Sequence, residues 1–142
     1  MRRILFRAKR MDDGEWVEGY LMCVSGMTFM SVMGIVSPMP VDIDTVGQYT
    51  GLTDKNGEKL FEGDIVLKKH IGYIPIEDVG QVSFDDGMFV FESKAWGRIY
   101  KLPLSLKEHV ENDMGAIIKI KYEYERLGNI YDNPELLRDG DE

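Results

Sequence analysis

Cysteine is almost missing from this sequence of 142 residues, in which Cys23 stands alone. A lone cysteine excludes an internal disulfide, and without partners at ligand spacing it excludes a structural zinc site. The glycosylation sequence Asn-x-Ser/Thr is absent, and no apolar signal region follows the basic N-terminus. We therefore expect a protein of the reducing cytoplasm, with Cys23 buried as a small hydrophobic side chain.

Charge is missing between Glu18 and Asp42, a stretch that holds five of the nine methionines. Its length would suit a membrane span, but glycines and prolines at 26, 34, 38 and 40 interrupt it. Because methionine adapts to irregular contacts, we expect a buried hairpin or a self-association surface instead, and no membrane partner. The candidate self-association residues are Met22, Met27, Met30 and Met33.

Catalytic signatures are missing as well. The two histidines, His70 and His109, have no histidine, cysteine or carboxylate at metal-ligand spacing. Esterase, nucleotide-binding and zinc-protease motifs do not occur. The sequence thus predicts a protein that is not an enzyme and that holds no metal and no cofactor. His70 is expected in an exposed loop with Lys68 and Lys69.

Two carboxylate pairs keep an enzymatic alternative open, Asp42 with Asp44 and Glu62 with Asp64. Each pair would project from one side of an extended backbone and could bind magnesium or manganese for hydrolysis. The favoured interpretation is that these carboxylates are solvated, because no base or nucleophile accompanies them in the sequence.

The net charge of −8 is unevenly placed. The first ten residues carry five basic groups, and the remaining 132 carry 12 basic and 25 acidic groups. An acidic body disfavours general nucleic-acid binding, which depends on lysine and arginine displacing phosphate counterions. It suits a solubilising surface, and it leaves open acidic mimicry of DNA toward a DNA-binding protein.

Short segments of alternating apolar and polar residues, separated by turn signals, predict a mainly β protein. A turn at 86–87 sets Phe84 opposite Phe89. It also sets Val82 opposite Phe91, so that all four side chains share one face. Turn chemistry and apolar pattern therefore select the same register.

Turn signals also predict an N-terminal antiparallel meander. A turn at 13–14 would pair Lys9 with Glu18, and a turn at 25–26 would lead into a third strand. A further turn at Asn56-Gly57 begins the second half of the chain. There we expect a hairpin that sets Asp54 opposite Lys59 as an ion pair.

The C-terminal third predicts one irregular strand and two short helices. Apolar residues occupy even positions from 118 to 124, whereas Leu127 is odd, which requires a bulge near 125–126 or a bend at Gly128. A capping box at 105–108 predicts a short helix that contains His109, and Pro134 predicts a second.

The segment DTVGQYTGLTDKNG at 44–57, continued by LFEGDIV at 60–66, resembles the signature of the YopX family of phage and prophage proteins. Three further segments match in the same order: ILFRA at 4–8, GQV at 80–82 and GNIYDNPELL at 128–137. The resemblance spans nearly the whole chain, except for the methionine-rich segment and the loop at 72–78.

The resemblance implies a phage source, hence a bacterial host cytoplasm, and a β-rich fold whose C-terminal half is similar to SH3-type barrels. It implies no activity, because none is established for the family. We accordingly expect a β-meander and oligomerisation region over 1–50 and an SH3-like barrel over 51–142. The signature residues, Gly51 and Gly63 among them, are interpreted as fold determinants.

Three functions follow for testing. The first is a non-enzymatic protein-interaction module that forms a homo-oligomer or binds a host or phage protein. The second is a nucleic-acid-binding barrel, with stacking aromatics and a basic N-terminal arm on phosphate. The third is the DNA mimic. The candidate interaction residues are Gln48, Tyr49, Lys68, Lys69, Phe89 and Trp96.

Overall fold

The computed structural model describes residues 3–32, 37–71, 77–95 and 98–137, which form β-strands and one 3-10 helix. The mainly β prediction is confirmed. The strands are β1 (Phe6–Arg10), β2 (Trp16–Val24), β3 (Met27–Ser31), β4 (Met39–Thr53), β5 (Lys59–Phe61), β6 (Asp64–Ile71), β7 (Glu77–Asp85), β8 (Met88–Ala95), β9 (Arg98–Pro103), β10 (Lys107–Glu111) and β11 (Ile117–Asn129), and the 3-10 helix is Pro134–Leu137.

The strands form two antiparallel sheets. The first has the order β1-β2-β3-β4-β5, with an additional pairing of β1 with β4. The second has the order β10-β11-β6-β7-β8-β9, and one of the two sheets forms a half-barrel. By its contacts the chain divides into two compact units, Met1–Leu52 and Thr53–Glu142.

The first unit contains the predicted meander, with one register corrected. Ser25 and Gly26 both have positive φ, and Val24 pairs with Met27 across the turn. Between β1 and β2, however, Glu18 faces Arg7 and not Lys9. The connection is longer than a two-residue turn, since the Gly14 N–H donates to the Arg10 carbonyl at 3.0 Å. The error of two residues leaves every side chain on its predicted face.

The core of the first unit consists of Ala8, Met30 and Val41, with partly buried apolar neighbours packed around them. It forms because β4 pairs with both β3 and β1. Cys23 is exposed on β2, so its predicted burial is wrong. Alternation places Cys23 on the same side of β2 as Leu21, which packs against the core, but Cys23 lies near the end of the strand and is exposed there.

In the second unit, the β7–β8 hairpin has the predicted register. Phe84 faces Phe89 and Val82 faces Phe91, across a turn with positive φ at residues 86 and 87. Gly80 lies beneath the Phe91 ring, and a Cβ atom there would come within 2.8 Å of it. A glycine is therefore required at this position for the aromatic ring to pack.

Of the remaining local predictions, two are confirmed and one is wrong. A bulge in β11 is confirmed, because Arg126 pairs with Val66 but Gly128 pairs with Ile65. The short helix at Pro134 is present as the 3-10 helix. The helix with His109 is wrong: that segment is β10, paired with β11, and Ser105 bonds locally to Lys107. No helix within the described ranges is long and apolar enough to cross a membrane.

Candidate functional site

A cavity of about 340 Å³ lies on one face of the second sheet. Cross-strand partners share a face, and Lys68 of β6 is opposite both Asp78 of β7 and Tyr124 of β11. Phe91 of β8 is likewise opposite Leu102 of β9. The described residues that line the cavity are Lys68, His70, Asp78, Phe91, Leu102, Ile120 and Tyr122.

Lys68 forms the floor of the cavity, where it is only 8% exposed. Its Nζ atom lies 4.2 Å from the ring centroid of Tyr122 and 5.2 Å from that of Phe91. Burial lowers the pKa of Lys68, and the nearby charges of Glu108 and Asp78 oppose that shift without cancelling it. The prediction of an exposed loop at 68–70 is wrong, because these residues belong to β6, which pairs with β7 on one side and β11 on the other.

Two carboxylates flank the lysine, and each has a hydroxyl partner. Asp78 is exposed at the mouth, and its Oδ2 accepts a hydrogen bond of 2.6 Å from the Oγ of buried Ser93. Glu108 accepts a hydrogen bond from the Tyr122 hydroxyl. Burial and this carboxylate raise the pKa of Tyr122 to about 12. The phenol is therefore a fixed neutral donor over the physiological range.

The rest of the wall is apolar. Phe91 is buried and Ile120 is half-buried, whereas Leu102 is 49% exposed at the rim. The His70 ring lies 5.7 Å from that of Tyr122. The cavity thus combines apolar walls, one cation and one accessible carboxylate, a composition typical of small-molecule sites.

The first unit has a different surface, which we call the hairpin face. It consists of side chains that share one side of β2 and β3, with Met22 opposite Phe29 and Val24 opposite Met27. No charged residue occurs among them, and their exposure ranges from partial to 55%. The members are Tyr20, Met22, Val24, Met27 and Phe29. This contiguous apolar surface is unusual for an ordinary solvated sheet.

Of the predicted self-association residues, Met22 and Met27 lie on the hairpin face. Met30 is fully buried in the core of the first unit, so its side chain offers nothing to a partner. It points inward because it follows Phe29 on the strand and takes the opposite face. Met33 lies outside the described residues.

The predicted interaction residues do not form one site. Gln48 and Tyr49 belong to β4 and are half-buried. Lys69 points away from the cavity and pairs with Glu77 at 3.5 Å. Phe89 shares the face of Phe91 and makes an edge contact with Phe84 at 5.1 Å. Trp96 lies outside the described residues.

Two cations of the basic N-terminus lie in β1 and pack on an aromatic ring, so they do not form a free arm for phosphate. Arg7 is buried in β1, with its guanidinium 4.7 Å from the Trp16 ring centroid. Lys9 lies 5.4 Å from the same ring. These cations pack on an indole, which the sequence alone did not indicate.

The carboxylate pairs have structural roles. Asp64 is fully buried, and its Oδ2 accepts the Phe61 N–H at 2.7 Å. Asp42 Oδ1 accepts the N–H of Asp44 at 3.0 Å. Within the described parts of the chain, no group of three histidine, cysteine, aspartate or glutamate residues could hold a metal ion.

Comparison with known proteins gives the family. The family model described as YopX protein matches residues 5–138. The chain belongs to the YopX family. A crystal structure of protein EF1440 from Enterococcus faecalis is similar, with a TM-score of 0.49 and 22% identity over 97% of this chain and 100% of that chain. No curated protein matches the sequence.

The YopX signature residues serve the fold in this structure. Asp54 is buried, and its Oδ1 accepts the N–H groups of Asn56 and Glu58, each at 2.9 Å. Its Oδ2 accepts the N–H of Arg126 at 3.0 Å, from 72 residues away. Gly63 has φ of 94° and donates its N–H to the Val82 carbonyl at 2.8 Å. The bonds to Asn56 and Glu58 fix the local turn, whereas those to Arg126 and Val82 join segments that are distant in the sequence.

Proposed function

We propose that this YopX protein is a non-enzymatic protein-interaction module that self-associates through the hairpin face. In this proposal it is an accessory protein of a phage or prophage and works in the cytoplasm of the bacterial host. The observation that carries the proposal is the contiguous, uncharged and exposed surface around Met22 and Met27. Aromatic residues and methionine are enriched in the same way at the centres of protein interfaces.

The distribution of charge favours a second copy as the partner. Met1–Leu52 carries five basic and six acidic residues, a net charge of −1. Thr53–Glu142 carries 12 basic and 19 acidic residues, a net charge of −7. Two copies that meet through their first units bring nearly neutral surfaces together, whereas contact through the second units would add like-charge repulsion.

Nucleic-acid binding has less support. Arg7 and Lys9 are engaged with Trp16, and Lys68 lies at the bottom of a cavity. The second unit, which contains Lys68 and Lys69, is also the strongly acidic one. Phosphate binding requires exposed cations that can displace counterions.

The test is a charge reversal on the hairpin face. In sedimentation equilibrium, the wild type should show a dimer whose fraction rises with concentration. The double variant Met22→Glu, Met27→Glu should stay monomeric over the same range, because assembly would bury four carboxylates. Both positions are exposed, so circular dichroism should remain that of the wild type.

The matched control is Met114→Glu, which adds a carboxylate at a 92% exposed methionine in the turn before β11. It should assemble like the wild type. A wild type that is monomeric at the highest concentration would contradict the proposal, and so would a double variant that assembles normally.

A further inference from the structure

The cavity on the second sheet contains an ammonium and a carboxylate that face each other without closing on each other. Lys68 and Asp78 are direct cross-strand partners. Within the described part of the chain, Lys68 Nζ meets aromatic rings and no hydrogen-bond acceptor. An ammonium has three N–H donors. Because Lys68 lines the cavity, these donors are open to a ligand that enters it.

The carboxylate of Asp78, opposite Lys68, can also accept a hydrogen bond from a ligand. Asp78 uses Oδ2 for the Ser93 hydroxyl, and the side chain is exposed at the mouth. Glu108 is held by Tyr122. A ligand that enters between Lys68 and Asp78 would meet one donor group and one acceptor group, separated by the width of a strand pair.

The charges decide which ligand fits. A simple anion would satisfy Lys68 but would lie beside Asp78, and a simple cation would satisfy Asp78 while leaving Lys68 unchanged. A ligand with both charges satisfies both residues and, being neutral overall, is not repelled by a unit of net charge −7. The walls of Phe91, Leu102 and Ile120 require an apolar body.

We propose that the cavity binds a free α-amino acid with a large apolar side chain. Its carboxylate bonds to Lys68, its ammonium bonds to Asp78, and its side chain packs against Phe91 and Leu102. The cavity volume of about 340 Å³ is near the lower end of the range for small-molecule sites, about 300–1,000 Å³, and fits a ligand of this size. This site is distinct from the hairpin face and does not depend on self-association.

The experiment is a titration of the full chain with four matched probes, followed by amide NMR. The probes are L-phenylalanine, 3-phenylpropionate without the amine, phenethylamine without the carboxylate, and N-acetyl-L-phenylalaninamide without either charge. L-phenylalanine should bind most tightly, with shifts at β6, β7, β8 and β9. The single-charge probes should each bind about tenfold more weakly, since each loses one charge-assisted hydrogen bond.

Variants test the two charged residues separately. Lys68→Met and Asp78→Asn should each weaken L-phenylalanine binding by about tenfold or more, on the same scale of charge-assisted bonds. Lys69→Met is the matched control, because that neighbour points to the opposite face, and it should bind like the wild type. Methionine replaces a buried cation without leaving a cavity, so Lys68→Met is expected to fold.

Three results would overturn the proposal. One is a chain that shows no shifts with L-phenylalanine at millimolar concentration. Another is 3-phenylpropionate or phenethylamine binding as tightly as the amino acid. The third is Asp78→Asn binding like the wild type while remaining folded.

Discussion

The two units of this protein differ in how much of their apolar surface they bury. The first has a small core around Ala8, Met30 and Val41, and it leaves the hairpin face exposed. The second fully buries three aromatic rings, Phe61, Phe91 and Tyr124, and still has room for a cavity lined by a lysine. The difference teaches that a larger core can support a buried charge, whereas a smaller one leaves apolar side chains exposed.

The largest test of this comparison concerns the aromatic core. Phe91→Ala should lower the free energy of unfolding by about 3–5 kcal/mol, the usual cost of removing a buried aromatic ring. Phe84→Ala, on the same face of the same hairpin, should cost less than about 1.5 kcal/mol, because that ring is 52% exposed and contacts mainly Phe89. Urea denaturation measures both. Equal losses of unfolding free energy in the two variants would show that the buried aromatic core does not dominate the stability of the second unit.

An intermediate effect is expected at Asp54, which joins the turn after β4 to β11. Asp54→Asn should cost about 1–3 kcal/mol, because the amide loses charge-assisted bonds and cannot accept all three N–H groups with both of its polar atoms. Changes in amide NMR shifts should concentrate in the turn at 54–58 and near Arg126 in β11. Shifts spread equally over β1 to β3 would mean that the residue does not act within the second unit alone.

The same residue predicts a pH dependence. Burial raises the pKa of Asp54, but the N–H groups of Arg126, Glu58 and Asn56 outweigh it, and the net pKa lies below its ordinary value of 3.8. A lowered folded pKa gives stability that is present above the unfolded pKa and lost as the pH falls through the folded value. The stability difference between the wild type and Asp54→Asn should therefore be full at neutral pH and shrink below about pH 4. Acid-range urea titrations of the two proteins check this, and a difference that grows on acidification would reverse the assignment.

The smallest effect is expected from an exposed ion pair in the second unit. Lys55 Nζ lies 3.3 Å from Glu125 Oε1, with about a third of each side chain exposed. A double-mutant cycle with alanine should give at most about 1 kcal/mol, which falls as salt is added. A larger, salt-independent coupling would mean that surface charge contributes to the second unit as much as its core does.

Local signals predicted the parts of the fold in which turn and strand pattern agree. The β7–β8 register and the β11 bulge follow from side-chain alternation, which a single misplaced residue would reverse. The helix predicted from the capping box at 105–108 does not form. The capping box is a signal of only four residues, whereas pairing with β11 provides strand partners for all of Lys107–Glu111. Tertiary pairing outweighs local propensity in such cases.

The candidate sites were less accessible to sequence reasoning. Lys68, Asp78 and Tyr122 come from three strands, and only the sheet order brings them together. The run Lys68-Lys69-His70 looked like a solvated loop because nothing in the sequence says which of two adjacent lysines points inward. The hairpin face was easier to predict, because the uncharged methionine-rich stretch that forms it is visible in the sequence. Side-chain alternation along the strand nevertheless places Met30 in the core.

The central claim is that the two units present two independent surfaces, one for a second copy and one for a small ligand. The most direct measurement is a pair of amide NMR series on one labelled sample, first diluted and then titrated with L-phenylalanine. Dilution should move the resonances of β2 and β3, and the amino acid should move those of β6, β7, β8 and β9. Dilution shifts confined to the second sheet, or amino-acid shifts confined to the hairpin face, would contradict the account.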